Sequence, residues 1–432
     1  MWAYVDGCEA GPGLRAAPAL GAVSTESKEA TALAERHATP GVESARAWIV
    51  VAAAFLSLFI VFGVAYSFGS FFDSMAEDFG TGKGATALMF SITSAWYFGL
   101  GAVSGKAADR YGPRSVLVVA AVALGAGLLA TSRVDSIWVG YVTYGVGAGT
   151  AVACAYVPMV AIVGGWFVRR RTTALGVAVS GIGAGTLVLA PLSERLIDAY
   201  GWRTAYVILG VGGAVLLLLA SAAAHSPPVP LDSAGAPLRR IMRERGFIVI
   251  YAAILLMSLT LFVPFVFIKD YAEDRGVGAA PAALLVGLIG ASSVVGRLGL
   301  GALGSRLSAL RLTQLSFGLV AASFLLWLGS GGNYAILVVF TIVLGVGYGG
   351  FIALTPAVVA TLFGTIGLGA ILGALYTSAA VGALVGPPLA GEVIDRASYS
   401  TAILMATALT AAATAVLFAL PDRSVVGATA SR

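Results

Sequence analysis

The stretch "GASSVVGRLGLGALGS" (Gly290–Ser305) sets a permanent cation among small and aliphatic residues, and Arg297 is the only ionisable side chain between Arg275 and Arg306. A guanidinium at membrane depth costs about 2.5–3.5 kcal/mol even on the milder insertion scale, so it normally faces a polar cavity or a partner. Its planar fork matches a carboxylate. One reading is therefore an anionic ligand in a hydrated cavity. The other is an arginine that snorkels to the headgroups from about eight residues, roughly 12 Å, above its helix end. Ser293 lies one turn earlier on the same face, where it can donate to a ligand or bond its own backbone. Tyr156, Tyr348 and Tyr376 sit in other apolar runs. Counted from the ends of those runs, Tyr376 is roughly 10 Å deep and Tyr156 roughly 17 Å, with Tyr348 near mid-span. All four side chains thus share a slab near the bilayer centre. A phenol can donate to a carboxylate while its ring lines an apolar wall, and each tyrosine can equally be a packing residue.

Other chemistries lack their residues. No paired carboxylates, metal-ligand spacing or nucleophile beside a base stand out, so neither an enzyme nor a metal centre is expected. There is no GxxxxGK[ST] loop for ATP and no cofactor motif. Cys8 and Cys154, in a polar tail and an apolar run, suggest no disulfide framework. The net charge of +5 fits Lys and Arg held in the inner loops of a membrane protein, not a nucleic-acid partner.

The elements that must position these residues follow from composition. The chain is 59% hydrophobic and 11% charged, against about 25% charged in soluble domains. Its charge-free runs reach the roughly 20 residues that a spanning helix needs. Abundant Gly and Ala fit helices packed closely in lipid, and the short alternating strands of a barrel are missing. An all-α membrane protein of twelve helices is expected, near 47–72, 87–105, 115–131, 137–167, 172–192, 204–223, 246–268, 282–305, 311–328, 335–363, 369–391 and 399–420. No other span is expected to hold Asp, Glu, Lys or His. Residues 1–46 read as a disordered tail and 421–432 as a second tail. Between the six-helix bundles 47–224 and 246–420 lies the polar segment 225–245, whose basic end is expected to rest on anionic lipid. With the N-terminus inside, inner loops hold twelve Lys and Arg and outer loops seven. That bias puts both termini in the cytoplasm of a multi-pass cell-membrane protein.

The halves resemble each other. A shift of 197 residues lays helix 5 on helix 11 without a gap: Gly176 on Gly373, Gly185 on Gly382, Pro191 on Pro388, Asp198 on Asp395. "GVGAG" before Pro158 echoes "GVGYG" before Pro356. Two parallel six-helix repeats are the plan of a rocking transporter with its site near the midplane. Helices 1, 4, 7 and 10 are expected to line the cavity, and helices 8 and 11 to add side chains to it.

The loop "GKAADRYGPR" (Gly105–Arg114) resembles the signature of the major facilitator superfamily. In it Gly105 permits close helix packing, Asp109 can face the positive end of a neighbouring helix, and Arg110 and Arg114 hold the loop inside. These four residues are the candidate conformational gate. "AYVPMVAIVGGWFVRRRTTALGVAVSGIGAG", "YGWRTAY" and "GPPLAGEVID" are similar to the monocarboxylate transporter branch, which includes bacterial oxalate/formate exchangers. The resemblance covers all twelve spans. It implies transport of a small carboxylate paired to an arginine of helix 8, the place of Arg297. Two members' features are missing: Ser293 stands where many have aspartate, and "YSFGSFF" (Tyr66–Phe72) lacks the lysine late in helix 1. The exchangers' extra lysine in helix 11 is missing too, which argues against a dianion.

A monomeric carrier for a lactate- or pyruvate-like monocarboxylate is the leading expectation, with or without a proton. A facilitator-type exporter would want an embedded acid for its cation. A non-transporting receptor on the same fold is the third alternative.

Overall fold

The computed structural model describes residues 43–167, 170–227, 238–303, 307–364 and 368–420. The expected tails, apart from residues 43–46, and the middle of the inter-bundle segment (228–237) lie outside the described residues. Among the described residues, with the run 171–223 divided at Gly201, twelve apolar helical segments follow one another: α1 Ala45–Phe79, α2 Lys83–Tyr111, α3 Pro113–Thr131, α4 Ile137–Trp166, α5 171–200, α6 202–223, α7 Arg245–Glu273, α8 Ala279–Leu303, α9 Ala309–Gly329, α10 Tyr334–Phe363, α11 Leu368–Arg396 and α12 Tyr399–Phe418. A one-turn helix, Leu238–Ile241, precedes α7. Among the described residues, ten helices are long and apolar enough to cross a membrane, or eleven when the bent α2 is taken as one span. That count treats α5 and α6 as one helix. They form a continuous run, Arg171–Ala223, of 53 residues, roughly 80 Å if straight and far beyond the roughly 30 Å of a bilayer core. Gly201 (φ 77°, ψ 158°) breaks the run and turns the chain back, as glycine alone does without strain.

Helix ends have local causes. Ser44, Asn333 and Ser398 accept hydrogen bonds from the first free amides of α1, α10 and α12. Left-handed Gly80 closes α1, and Gly112 and Gly364, at φ 83° and 84°, close α2 and α10. α1 is broken at Ser67 and α7 at Phe262, equivalent places in the two halves.

The repeat is visible in the packing. A Cβ on Gly185 of α5 would run into the Phe59 backbone of α1. On Gly382 of α11 it would lie 2.6 Å from Ser258 Cβ of α7. Glycines 197 residues apart thus seat their helices on equivalent partners. Between the halves α5 packs on α8, and α2 on α11, as a pseudo-two-fold requires. Gly183 faces Gly290, and Gly84 faces Gly391. Such small residues let helix backbones approach closely in lipid.

The two ends of the molecule differ. We call the end carrying Ala45 and Arg245 proximal and the other distal. Every residue of α1 from Ile60 to Phe72 is buried, and every residue of α7 from Thr260 to Ala272. Nearer the proximal end both helices keep an accessible stripe, at Ala45, Ile49 and Ala52 on α1 and at Ile248, Ala252 and Leu255 on α7. A helix buried all round is enclosed by protein, whereas a stripe faces open space. The halves are therefore clamped around α1 and α7 distally and not proximally.

Candidate functional site

Arg297, on α8, is 7% exposed. Its Nη1 donates to the Val179 carbonyl of α5 at 2.9 Å, across the seam between the halves. Nε and Nη2 are buried with no hydrogen bond. Among the described residues no carboxylate lies within ion-pair distance of it. Its guanidinium carbon stands 5.6 Å from the centre of the Tyr348 ring, within range of a cation–π contact.

Aromatic rings tie the sequence-predicted tyrosines to this arginine. The Tyr348 hydroxyl on α10 meets that of Tyr66 on α1 at 3.0 Å. Tyr66 packs on Phe62 (5.4 Å between ring centres), and Phe62 packs edge-on against Tyr156 of α4, also at 5.4 Å. Tyr376 of α11 joins through Phe98 at 5.9 Å, and Phe98 lies 4.4 Å from Tyr97. Tyr97 closes the ring on Phe62 at 5.8 Å. The structure thus brings Arg297, Tyr348, Tyr156 and Tyr376 into one aromatic cluster drawn from both halves. Ser293 faces elsewhere. It is fully buried, its hydroxyl donates to its own Gly290 carbonyl at 2.7 Å, and its backbone abuts Gly349.

Sequence reasoning missed Tyr66, Phe62 and Tyr97. The signal available was the i, i+4 spacing of Phe62 and Tyr66 on one face of α1; Phe62 meets Tyr97 and Tyr156 of its own half, and Tyr66 meets the other. Beyond them, Tyr66 packs at a tilt against Phe265 at 4.5 Å and Phe72 edge-on against Phe267 at 5.2 Å. Phe90 and Phe98 reach Phe262 at 6.1 and 6.4 Å. These pairs join α1 and α2 to α7 and seal the cluster from the distal end.

A second missed layer lies further out. The sequence ends helices 1, 5 and 7 at 72, 192 and 268 and leaves no acid or lysine inside another span. The helices run on to 79, 200 and 273, and carry Asp73, Glu194, Lys269, Asp270 and Glu273 inward. The reason is that the i, i+4 pair Lys269–Glu273 can stay helical at 2.8 Å. Lys269 is also 3.4 Å from Glu194 and 3.9 Å from Asp73 of the other half. Lys83 of α2 pairs with Asp270 of α7, which also accepts from Tyr399. Its backbone amide donates to Asp395 of α11 at 2.7 Å. A lysine does stand beside the distal part of α1, where the resemblance calls for one, but it comes from α7.

The expected gate residues lie at the proximal end. Gly105 faces Val157 of α4, whose methyl would lie 3.5 Å from an added Cβ. Asp109, Arg110 and Arg114 are exposed, and the Arg110 guanidinium covers the Tyr111 ring at 5.3 Å. Among the described residues Asp109 has no ion-pair partner. Charge and aromatic contacts between the halves are thus concentrated at the distal end, and among the described residues Asp109 at the proximal end makes no ion pair.

Residues 54–340 match the family model of the Major Facilitator Superfamily. The chain is 33% identical over 357 residues to "Monocarboxylate transporter 4" of Rattus norvegicus, covering 78% of this chain and 75% of that one. It is 29% identical to "Monocarboxylate transporter 13" of Bos taurus, covering 87% and 89%. A crystal structure of a point mutant of the nucleoside transporter NupG superposes with a TM-score of 0.71 at 13% identity, over 87% of this chain and 99% of that one. At that identity the match speaks for the fold alone.

Proposed function

The chain belongs to the major facilitator superfamily and, within it, to the monocarboxylate transporter family, and on that premise we propose that it carries a small monocarboxylate across the cell membrane by alternating access. It is a multi-pass membrane transporter of small organic substrates, not an enzyme. The observation that carries the finer reading is the state of Arg297. A buried guanidinium with two nitrogens unpartnered and, among the described residues, no carboxylate at ion-pair distance is left open to a polar partner, and an anion supplies one. One arginine suits one carboxylate, held by two parallel hydrogen bonds.

The geometry gives the substrate a mechanical effect. Nη1 now holds a carbonyl of the opposite half. A carboxylate arriving at Arg297 competes for that donor, so ligation bears on the seam that must move. The substrate's apolar part would rest on the cluster of Tyr348, Tyr66, Phe62, Tyr156 and Tyr376. Ser293 has no part in this reading, since its hydroxyl is committed to Gly290. The guanidinium stays charged at any working pH, so a proton that accompanies the substrate must ride on other groups.

The loop-charge bias supports a cytoplasmic proximal end in this reading. The described conformation is then the inward-facing one. Asp109, with no ion-pair partner among the described residues, fits this, because a gate at the proximal end would engage only in the opposite state. Counterflow in proteoliposomes with labelled monocarboxylates tests the reading. Accelerated exchange of a lactate- or pyruvate-like anion, lost in Arg297→Gln, is expected. Exchange of a cationic compound in its place would favour an exporter.

A further inference from the structure

The distal charge layer holds more acid than base. Four carboxylates, Asp73, Glu194, Asp270 and Glu273, share two lysines, Lys83 and Lys269. Asp270 is satisfied by Lys83 and the Tyr399 hydroxyl. Lys269 donates to Glu273 at 2.8 Å. Glu194, on the opposite half, is 4% exposed, and its Oε2 is buried without a hydrogen bond although Lys269 Nζ lies 3.4 Å away. An ionised carboxylate in that position is poorly compensated, and neutralising it is the less costly solution.

We propose that Glu194 is a proton-binding site assembled by closure of the distal end, so that closing takes up one proton from the distal medium. Glu194 comes from α5, while Lys269 and Glu273 come from α7. Parting the halves withdraws the α7 groups and admits water, and the carboxyl then returns its proton to the side it came from. The site therefore makes closure respond to distal acidity; by itself it does not carry a proton across. The inference rests on the alternating-access reading, and not on the identity of the substrate.

The other groups facing the site are accounted for. Asp198 of α5 and Glu273 of α7 add negative charge near Glu194, and Lys269 opposes them. Asp73 of α1, with its side chain 43% exposed, faces Asp270, Lys269, Lys83 and Glu273. Glu392 of α11 lies against α2 at Gly84, and Asp395 accepts from the Lys83 amide.

Linkage gives sign and size. If closed Glu194 holds its proton more tightly than open Glu194, the closed-to-open ratio rises as pH falls. The rise is at most about tenfold per pH unit for one proton. It stops below the pH at which the open form is also protonated, and vanishes above the pH at which both forms are ionised.

The test uses the full chain in nanodiscs without substrate, with Cys8 and Cys154 replaced. Spin labels go at Asp135 and Arg396, whose side chains are 93% and 79% exposed on the distal faces of opposite halves. Distance distributions are read from about pH 5 to 8, spanning the range in which a buried carboxyl titrates. The wild type should gain closed population as pH falls. Glu194→Gln should stay closed across the range with its slope abolished. Glu273→Gln should keep the slope but move it to lower pH, since a negative neighbour of Glu194 is lost and Lys269 is released from it. A pH-independent ratio in the wild type, or a wild-type slope in Glu194→Gln, overturns the proposal. With no substrate present, neither result depends on what Arg297 binds.

Discussion

Replacing Gly69 by Ala should open the distal end without weakening the fold. Gly69 lies on the distal half of α1, and a Cβ there would sit 2.7 Å from the Phe265 carbonyl oxygen and 3.3 Å from that of Val266, both on α7. An ordinary carbon–oxygen contact is about 3.4 Å, so α1 and α7 must part by roughly 0.7 Å. The obstacle is helix backbone, which cannot rotate aside as a side chain does. Overpacking of this kind costs about 1–3 kcal/mol. Within its own helix, alanine is favoured over glycine by about 1 kcal/mol. The two effects separate cleanly, because the clash exists only between halves and only when they are closed. The closed-to-open ratio should fall by about 5- to 150-fold, at 1.36 kcal/mol per tenfold, while thermal stability of the purified protein stays level or rises. Distal label distances, or modification of a cysteine at a buried distal position, read the ratio. A Gly69→Ala protein that closes like the wild type would refute the claim that α1 and α7 form the distal clamp. So would a loss of stability without any conformational shift.

Tyr66→Phe leaves the buried Tyr348 hydroxyl unpartnered across the seam, a loss of about 1–3 kcal/mol; the same distance measurement should show a shift to the open form, and an unchanged distribution would count against that bond. Ser293→Ala should leave substrate affinity within about twofold, because its hydroxyl serves the Gly290 carbonyl; equilibrium binding checks this, and a tenfold loss would restore Ser293 to the site. Gly201→Ala forces a non-glycine residue to φ 77°, ψ 158° and should cost about 1–3 kcal/mol, read as a lower melting temperature. Asp109→Ala should slow transport with little change in affinity, since Asp109 is exposed and away from Arg297; affinity lost in step with transport would contradict that role.

The helices were legible because apolar runs need no partner to declare themselves. Even the cuts in the charge-free stretch from Leu312 to Gly391 fell close to their places, since Asn333 caps α10 and Gly364 ends it. Arg297 and the tyrosines were legible for a related reason: polar groups in an apolar run are few. What the sequence hid was longer helices at the distal end. A charge is a sound stop signal only where it meets water, and here Lys269 meets Glu194 and Asp270 meets Lys83 instead. Their pairing joins residues more than seventy positions apart, which no local pattern reveals. Ser293 misled for the opposite reason. Spacing put it on the face of Arg297, but the hydroxyl took the nearest carbonyl on its own helix. Tyr66 carries no local signal that it packs on Phe265 of α7 and bonds Tyr348 of α10.

The claim that Arg297 holds a carboxylate is tested most directly by ligand-induced thermal stabilisation of the purified protein. Wild type, Arg297→Lys and Arg297→Gln are compared against a panel of monocarboxylates, with neutral and cationic analogues as controls. The account predicts stabilisation by a monocarboxylate in the wild type. It predicts weak stabilisation in Arg297→Lys, which keeps the charge and loses the fork, and almost none in Arg297→Gln, with all three proteins folded. A monocarboxylate that stabilises Arg297→Gln as well as wild type would contradict it.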